Sequence, residues 1–362
     1  MSRQALHDLE QAAQARLPSH VWDFIAGGSG TGSMLTANRR TLDRIRLRPR
    51  VLTDVSRVDT ATTLLGDPVS APVGIAPMAY HQLAHPEGEV AAARAAGKAG
   101  VLLTVSMFAS RTLADIAAAA SGPLWLQLYW LRHRDALLDL IRRAEETGFR
   151  ALVLTVDAPR MARRPRDERN GFAVPEGIRA VNLDETLMSA SYGGRAGHSA
   201  VARHAREQFD ASVGWADLAW LRERTSLPLV LKGILTAEDA LLAVEHGVSA
   251  VLVSNHGGRQ LDFAQPAFAA LPEIVDAVDG RIQVLVDGSV RYGADVVKAL
   301  CLGADAALLG RPLLWGLADS GDEGATAVLR TLLDEVEETM ALMGASGIGS
   351  LGRAGVVRPR VE

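Results

Sequence analysis

The feature that most constrains the fold of this chain is a regular alternation of short apolar runs with longer helical stretches, which begins near residue 72. Near-continuous hydrophobic runs are typical of parallel strands that are buried on both faces. Eight such runs occur, and they are PVGIAP (72–77), VLLTVS (101–106), LWLQLY (124–129), ALVLTVD (151–157), PLVLKG (228–233), AVLVSN (250–255), QVLVDG (283–288) and AALLG (306–310).

The stretches between these runs have the end signals of helices. Several open with Ser, Thr or Asp and close with Gly, as TAEDALLAVEHG (236–247) does. Eight strands that alternate with helices predict an α/β fold of the (β/α)8 barrel type. The alternative is a doubly wound sheet, which usually has a glycine-rich dinucleotide turn after an early strand. PVGIAPMAYHQ contains no such turn, so the barrel is favoured.

Three segments lie outside the alternation. Residues 1–71 are predicted to form an N-terminal helical cap with a short strand pair, and residues 158–213 form an insertion after the fourth strand. Part of that insertion, SASYGGRAGHSA (189–200), is rich in Gly, Ser and Ala and is predicted to be a mobile lid at the barrel mouth. The tail from about residue 312 begins as a long helix. We therefore expect a single domain over 1–362, with the barrel over 72–362.

The composition excludes several classes of protein. Hydrophobic residues make up 48% of the chain, enough for a large core, and the net charge of −4 gives no electrostatic case for nucleic acid or an anionic membrane as partner. No apolar run approaches the ~18 residues that a membrane helix needs. The only cysteine, Cys301, excludes an intrachain disulfide and has no metal-binding neighbourhood, so we expect no metal site and a cytoplasmic location.

Polar or ionisable residues stand at the end of almost every predicted strand. In a (β/α)8 barrel the carboxyl ends of the strands form the active site, so these residues are expected to face one cavity. They are Pro77, Met78 and Ala79 after the first strand, then Ser106, Gln127, Tyr129, Thr155, Asp157, Lys232, Ser254, His256, Asp287, Gly288, Ser289, Arg291, Gly310 and Arg311 along the later strands.

The last two strands indicate a phosphate site. DGSVR (287–291) and LGRP (309–312) place small residues and arginines where such barrels usually bind phosphate, through backbone N–H groups and a bidentate arginine. The alternative is that Gly288 and Gly310 only make tight turns and that the arginines are solvated. The phosphate interpretation is favoured and predicts a phosphate-bearing substrate or cofactor.

Lys232 and His256 are the two candidate reactive side chains. Lys232 closes a strand, and a Schiff-base lysine, a cation beside a negatively charged cofactor and a structural ion pair all fit that position. His256 is followed by Gly257, Gly258 and Arg259, so a ligand can approach the backbone closely. A base next to a carboxylate anchor is favoured over an ordinary structural histidine, and Asp157 is expected to orient the imidazole.

These motifs, taken together, resemble the family of FMN-dependent 2-hydroxy acid oxidases and dehydrogenases, which includes glycolate and lactate oxidases and mandelate dehydrogenases. The resemblance covers nearly the whole chain. It rests on LPSHVWDFIAGG, ANRRTLDRIRLRPR, APVGIAP, AHPEGE, LQLYW, LTVDAPR, RNGF, LKGILTAEDA, VSNHGGRQLD, VDGSVR and GADAALLGRP. It implies an FMN cofactor, a small 2-hydroxy acid substrate and a homotetramer.

The resemblance also implies roles for individual residues. His256 corresponds to the base that takes the hydroxyl proton while the α-carbon hydrogen leaves, formally as hydride, to flavin N5. Asp157 corresponds to its carboxylate partner, Arg164 and Arg259 to the clamp on the substrate carboxylate, and Tyr129 to a hydroxyl donor. Lys232 corresponds to a cation near flavin N1 and O2, which decides against the Schiff base.

The remaining strand-end residues correspond to the FMN site. The backbone of Pro77, Met78 and Ala79 is expected to hold the isoalloxazine and ribityl chain, together with Ser106, Gln127, Thr155 and Ser254. The ribityl end and the phosphate are expected to bind the loops after the last two strands. Their residues are Asp287, Gly288, Ser289, Arg291, Gly310 and Arg311.

Two positions depart from the glycolate and lactate oxidases and bear on the substrate. Phe24 replaces a tyrosine that helps to bind the carboxylate, and Phe108 replaces a tryptophan of glycolate oxidase. Loss of a polar contact with gain of aromatic surface favours a bulky apolar substituent on the substrate. Together with AGGSGT, AYHQLAHPEG, QLYWLR and RNGFAVPE, Phe24 makes the chain most similar to the 4-hydroxymandelate oxidases of this family, so mandelate or 4-hydroxymandelate is the expected substrate.

Three alternatives stay open. Phe24 can be simply a core aromatic residue, in which case the substrate is aliphatic. The electron acceptor can be a quinone or a protein rather than O2, although the insertion has Arg195, Arg203 and Arg206 but no long apolar patch, which favours an oxidase that does not bind a membrane. The most distant alternative is a non-redox aldolase or isomerase that uses Lys232 as a Schiff base.

Overall fold

The computed structural model describes residues 3–184, 188 and 200–357. Within them, eight parallel strands close into a barrel in chain order, with the last strand paired to the first. These strands are β4 (Val73–Ile75), β5 (Leu102–Ser106), β6 (Leu124–Leu128), β7 (Ala151–Thr155), β8 (Leu229–Ile234), β9 (Ala250–Val253), β10 (Gln283–Asp287) and β11 (Ala306–Leu309). The predicted (β/α)8 fold is thereby confirmed.

Helices surround the barrel, and most of them connect one strand to the next. Thr112 and Thr236 cap two of these helices by accepting a hydrogen bond from a backbone N–H of the first turn. The helices after the first barrel strand are α4 (Gly88–Ala99), α5 (Leu113–Ala119), α6 (Arg134–Glu146), α7 (Pro165–Asn170), α8 (Ala200–Gln208), α9 (Asp217–Arg222), α10 (Ala237–Glu245), α11 (Ala267–Val278), α12 (Gly293–Cys301) and α13 (Arg311–Leu342).

The inside of the barrel is apolar at one end and polar at the other. Leu102, Trp125 and Leu252 belong to a buried cluster inside the barrel. Because successive side chains of a strand point to opposite faces, residues two or four positions further along point inward as well. Those inward positions at the carboxyl ends are Ser106, Gln127, Thr155, Lys232, Ser254, Asp287 and Gly310. The alternation of side chains along the strands therefore brings these polar residues together inside the barrel at its carboxyl end.

A hairpin covers the opposite end of the barrel. Strands β2 (Thr62–Leu64) and β3 (Asp67–Val69) pair antiparallel, and Leu64 packs into the interior cluster. The Leu65 N–H donates to the side-chain oxygen of Gln283, the first residue of β10, over 2.9 Å. With the amino-terminal end covered, the cavity opens at the carboxyl ends of the strands.

The segment before the barrel contacts a loop at the carboxyl ends of the strands. Helices α1 (Arg3–Arg16), α2 (Ser19–Ala26) and α3 (Ser33–Arg44) precede the barrel, and the Ser29 N–H donates to the Gly258 carbonyl after β9 over 3.0 Å. The short strands β1 (Arg46–Leu47) and β12 (Val356–Val357) pair with each other. The tail helix α13 has a break at Ser320 and Gly321 and packs against α1 and α4.

The insertion after β7 is described in part. Helices α7 and α8 belong to it, whereas residues 189–199 of the predicted lid and Arg195 lie outside the described residues. Among the helices that the structure describes, none is long and apolar enough to cross a membrane.

Candidate active site

One cavity collects nearly all of the predicted site residues. Its empty volume, including the open mouth, is ≈ 1400 Å³. Asp157 and Ser254 contact lining residues without lining the cavity themselves. The predicted residues that do line it are Phe24, Pro77, Met78, Ala79, Ser106, Phe108, Gln127, Tyr129, Thr155, Arg164, Lys232, His256, Arg259, Asp287, Gly288, Ser289, Arg291, Gly310 and Arg311.

His256 and Asp157 form a partly buried, hydrogen-bonded pair. The His256 Nδ1 lies 2.9 Å from Asp157 Oδ1, and the His256 backbone has a left-handed φ of 59° that turns the ring toward the cavity. Burial alone raises the pKa of Asp157, but the positive charges of His256 and Lys232 outweigh burial and hold that pKa below its usual range. Burial lowers the pKa of His256 below 6.5, although Asp157 opposes this shift.

This arrangement leaves one imidazole nitrogen available as a base. An ionised Asp157 accepts a hydrogen bond from the Nδ1–H group, so Nε2 is the nitrogen without a proton in the neutral ring. The carboxylate also stabilises the imidazolium that forms when Nε2 takes up a proton. The pair therefore has the protonation state and the charge of a general base.

Gly233 and Gln260 fix the position of Asp157. Gly233 has a φ of +110°, and a Cβ at this position would lie 2.5 Å from Asp157 Cβ. The Gln260 side-chain amide donates to the carbonyls of Asp157 and Arg160 over 2.9 Å each, and its oxygen accepts from the Ala162 N–H over 3.1 Å. Gln260, which follows Arg259 by one residue, therefore ties the loop after β9 to the loop after β7.

Lys232 of β8 lines the cavity and contacts side chains at the carboxyl ends of the next two strands, β9 and β10. Its Nζ donates to Ser254 Oγ over 3.1 Å and lies 3.7 Å from Asp287 Oδ2. The Ser254 hydroxyl also accepts from the His256 N–H over 3.0 Å, so Ser254 links Lys232 to the backbone of His256. Lys232 is 3% exposed, so its charge acts in a poorly solvated environment.

Three neighbouring strands are joined by a chain of buried side-chain hydrogen bonds. The Ser106 hydroxyl donates to Gln127 Oε1, and the Gln127 amide donates to Thr155 Oγ1, each over 3.0 Å. The amide has a second hydrogen on Nε2, and the carbonyl has a second lone pair, so Gln127 retains hydrogen-bonding capacity toward the cavity it lines.

Three guanidinium groups, one buried and two partly buried, make the cavity strongly positive. Burial, and then repulsion by Arg164 and Arg311, lower the pKa of Arg259 well below its ordinary value. Burial also lowers the pKa of Arg164, and it lowers the pKa of Arg311 to about 10. Arg164 pairs with Asp167 only at 4.0 Å, and its buried Nε has no hydrogen-bond partner among the described residues. Like charges in such a cavity favour an anionic ligand.

Arg311 lies beside Arg259 in the structure. Both guanidinium groups donate to the carbonyls of Ile25 and Gly27 at the end of α2, and Arg311 also reaches the Gly257 carbonyl. Arg291 lies 3.5 Å from Glu10 and stacks over Trp315. The phosphate role of Arg291 and Arg311 stays a prediction, and the structure adds that Arg311 joins α2 to the loop after β9.

Aromatic rings from two separate stacked groups line the cavity. Phe108 and Phe209 both stack on Tyr129, with ring centroids 5.6 and 4.5 Å away. Phe24 stacks on Phe172 at 4.3 Å, and the Arg259 guanidinium lies 5.3 Å from the Phe24 ring centroid. Burial, and then Asp157, raise the pKa of Tyr129, so its phenol stays protonated and can donate a hydrogen bond.

Some residues that position this site were assigned no role from the sequence. Asn38 and Arg39 lie in ANRRTLDRIRLRPR, while Asn255 and Gln260 lie in VSNHGGRQLD. The side chains of these residues form hydrogen bonds to segments that are distant along the chain. Asn38, for example, binds Asn255. The only signal in the sequence was their place inside those motifs.

Comparisons with known proteins match this geometry. A family model described as FMN-dependent dehydrogenase matches residues 13–358. The chain is 48% identical to a 4-hydroxymandelate oxidase of Amycolatopsis orientalis over 353 residues, 98% of each chain, and 42% identical to a glycolate oxidase of Spinacia oleracea over 96% of this chain and 94% of that protein. A crystal structure of a mandelate oxidase with (S)-4-hydroxymandelic acid superposes with a TM-score of 0.92 at 48% identity, covering 95% of this chain and 96% of that one.

The chain therefore belongs to the FMN-dependent dehydrogenase family. The FMN cofactor that the resemblance implied is confirmed at the level of the family. Among the described residues, no group of three or more His, Cys, Asp or Glu side chains is arranged to hold a metal ion.

The cavity has the groups that FMN requires. Asp287 Oδ1 is buried without a hydrogen-bond partner among the described residues, and it can accept from a ribityl hydroxyl. Lys232 offers a cation next to it. Gly288 and Gly310 lack side chains where the loops after β10 and β11 line the cavity, so a phosphate can approach the backbone. The cavity thus offers a suitable group to each part of FMN. Asp287 suits the ribityl hydroxyls, Lys232 suits the anionic edge of the ring, and the loops of Gly288 and Gly310 suit the phosphate.

Gly233→Ala is expected to destabilise the protein and to disrupt the His256–Asp157 pair, because the new methyl group overlaps Asp157 at an unfavourable φ. We expect a loss of ~3 kcal/mol or more in the free energy of unfolding. Gly148→Ala is the matched control, since Gly148 has a φ of +85° with no atom within 4 Å of the added Cβ. It should lose only ~1 kcal/mol. Thermal and urea unfolding measure both, and equal losses would contradict a steric role for Gly233.

Proposed function

We propose that this protein is an FMN-dependent (S)-2-hydroxy acid oxidase, which converts the hydroxy acid to the 2-oxo acid and reduces O2 to H2O2, with mandelate or 4-hydroxymandelate as substrate. The observation that supports it best is the pairing of a base and an anion site in one cavity. His256, hydrogen-bonded to Asp157, shares the cavity with Arg164 and Arg259. An α-hydroxy acid has a proton to lose and a carboxylate on the adjacent carbon, so it needs both.

Binding of the substrate is assigned to the guanidinium groups and the phenol. The carboxylate takes its place between Arg164 and Arg259, whose charges are poorly solvated and mutually repelling. Tyr129 donates its phenolic hydrogen to a substrate oxygen, since its raised pKa keeps it protonated. These contacts orient the α-hydroxyl group toward His256.

Proton removal is assigned to His256. Its Nε2 takes the proton of the α-hydroxyl group while the carbonyl of the product forms, and Asp157 stabilises the resulting imidazolium. FMN, when bound, would supply the acceptor for the hydride that leaves the α-carbon. Lys232, buried beside Asp287, would offer positive charge to the negative charge that the cofactor gains. The substrate thus loses two hydrogens, which O2 finally receives.

The aromatic rings that line the cavity support the proposal of an aryl substrate. Phe24 and Phe108 both line the cavity, so neither is only a core residue, although each also stacks on another aromatic ring. A phenyl substituent gains offset or edge contacts with such rings that a methyl group cannot make. The A. orientalis relative carries the name 4-hydroxymandelate oxidase, which points the same way.

The alternatives differ in measurable ways. An aliphatic 2-hydroxy acid oxidase fits the same base and anion clamp, as the glycolate oxidase relatives illustrate. A dehydrogenase differs in passing electrons to a quinone or a protein. A Schiff-base aldolase needs a free lysine, whereas Lys232 binds Ser254 and lies beside Asp287. The cytoplasmic location and the homotetramer stay predictions.

Reduction of the flavin by substrate tests the proposal directly. The purified protein should be yellow, its visible bands should bleach anaerobically with (S)-mandelate, and they should recover in air with one H2O2 formed per turnover. (R)-mandelate is the control for stereochemistry, and (S)-lactate should give a kcat/KM at least ~10-fold lower. Preference for lactate would support the aliphatic alternative, and absence of reoxidation in air would support the dehydrogenase. A protein that neither contains nor binds flavin would refute the proposal.

His256→Ala is expected to retain FMN and to lose flavin reduction. Removal of a general base should lower the anaerobic reduction rate constant by at least ~100-fold. The cofactor should stay bound because none of its proposed contacts involves the imidazole. His7→Ala, at an exposed position on α1, is the matched control and should behave as the wild type. Near-normal reduction in His256→Ala would remove His256 from the role of base.

The pH dependence follows from the same pair. The base must be neutral, so kcat/KM should fall as the pH decreases through the pKa of His256, and burial places that pKa below 6.5. Asp157 raises this pKa, so Asp157→Asn should move the midpoint of the acidic limb to still lower pH while also slowing the reaction. Steady-state pH profiles measure both midpoints. A midpoint above 6.5 in the wild type, or a rise in Asp157→Asn, would contradict the assignment.

A further inference from the structure

Two consecutive residues of helix α3 bind two different loops of the cavity. Asn38 contacts the loop after β9, which contains His256, and Arg39 contacts the loop after β10, which contains Ser289 and Arg291. The base and the proposed phosphate site are thus both attached to one turn of an N-terminal helix. Neither Asn38 nor Arg39 lines the cavity.

Asn38 is joined to Asn255 by a reciprocal pair of amide hydrogen bonds. The Asn38 Nδ2 donates to Asn255 Oδ1 over 3.0 Å, and the Asn255 Nδ2 donates to Asn38 Oδ1 over 2.7 Å. Both side chains are 3% exposed. The Gly258 N–H also donates to Asn255 Oδ1 over 3.2 Å, so one amide holds both ends of the His256 turn. Buried amides without partners are costly, and the pair therefore has one favourable arrangement.

The His256 turn needs such a constraint. His256 has a φ of +59°, which is unfavourable for a residue with a Cβ and persists only where the surroundings hold it. Helix α3 touches the turn at a further point, since a Cβ on Gly258 would lie 3.1 Å from Met34 Cβ. The helix is therefore packed against the turn as well as bonded to it.

Arg39 holds the loop after β10 through Asp295. Its guanidinium binds both oxygens of Asp295 over 2.7 and 2.8 Å and donates to the Ser289 carbonyl over 3.0 Å. Asp295 Oδ2 in turn accepts from the N–H groups of Arg291 and Tyr292 over 3.0 and 3.2 Å. Ser289 has a left-handed φ of +66°, so this loop too is held in an unfavourable conformation.

The far end of α3 is attached to the element that follows the same loop. Lys298 of α12 donates from Nζ to the Leu42 carbonyl over 2.9 Å. Helix α3 is thus fixed to α12 at its carboxyl end and to the His256 turn nearer its start, which makes it a rigid brace between the two loops.

We propose that Asn38 and Arg39 are positioning residues with separable effects on the reaction. Asn38 places His256 for proton removal, and Arg39 places the loop 288–291 for the phosphate of FMN. The inference rests on the proposed function, because it assigns the two loops their roles from it.

The test compares Asn38→Ala and Arg39→Ala with the control Arg40→Ala, which changes an exposed side chain on the same helix. In Asn38→Ala, the anaerobic flavin reduction rate constant should fall by about 10- to 100-fold, since misplacement of a reacting group has effects of this order. Its KM for (S)-mandelate and its Kd for FMN, measured by quenching of flavin fluorescence, should stay close to the wild-type values.

The opposite pattern is expected for Arg39→Ala. Its Kd for FMN should rise by about tenfold or more, because the loss of charged hydrogen bonds is worth at least one factor of ten. Reduction at saturating FMN should stay near the wild-type rate. Arg39→Lys, which keeps the charge but cannot bind Asp295 with two parallel bonds, should have an intermediate Kd.

Loss of this crossed pattern would overturn the inference. If both variants lower the reduction rate and FMN affinity together, in proportion to a fall in Tm, the helix has only a structural role. Should Asn38→Ala fail to fold, Asn38→Asp replaces it, because the carboxylate keeps the acceptor for Asn255 Nδ2; a wild-type rate in that variant would refute the role of Asn38. If no 2-hydroxy acid reduces the wild-type flavin, the proposed function fails, whereas the FMN affinities still decide the role of Arg39.

Discussion

The hydrogen bond between His256 Nδ1 and Asp157 Oδ1 is the interaction on which the rest of the site depends. It requires Gly233, because any side chain there would occupy the space of Asp157. It also requires the left-handed turn at His256, which points the ring toward the cavity. An ionised carboxylate hydrogen-bonded to a partly buried imidazole favours a neutral ring with one proton-accepting nitrogen.

The rest of the cavity places several positively charged side chains near His256. Arg164 is buried, and Arg259 and Arg311 are partly buried. Loss of solvation lowers the pKa of all three, and repulsion by other arginines lowers the pKa of Arg259 and Arg311 further. Such an arrangement costs stability in the protein alone and makes anion binding favourable. Phe24 and Phe108 add apolar surface at the same cavity. A ligand with an anionic end, a removable proton and an apolar end would match the arginines, His256 and the aromatic surface, respectively.

Much of the candidate site could be predicted because the apolar runs of the sequence indicate where each strand ends. Inward-facing residues alternate along each strand, so Ser106, Gln127 and Lys232 could be assigned to one end of the barrel once the strands were recognised. Residues that hold the loops could not be assigned in this way. Asn38 lies far from Asn255 along the chain, and an amide in a helix has no pattern that reveals its partner. Arg311 likewise had a predicted anion-binding role, but only the fold shows its carbonyl partners on α2.

The sequence by itself determined the barrel and the end at which the polar residues gather, and it predicted a base beside an anion anchor, because hydrophobic periodicity and glycine placement are local properties of the chain. Its motifs also indicated the family, which the comparisons confirmed. Only the tertiary structure decided that Arg259 and Arg311 share the carbonyls of Ile25 and Gly27 and that α3 braces two loops at once. Those contacts join segments that are distant along the chain, and their partners are set by how the N-terminal helices pack on the rim of the closed barrel.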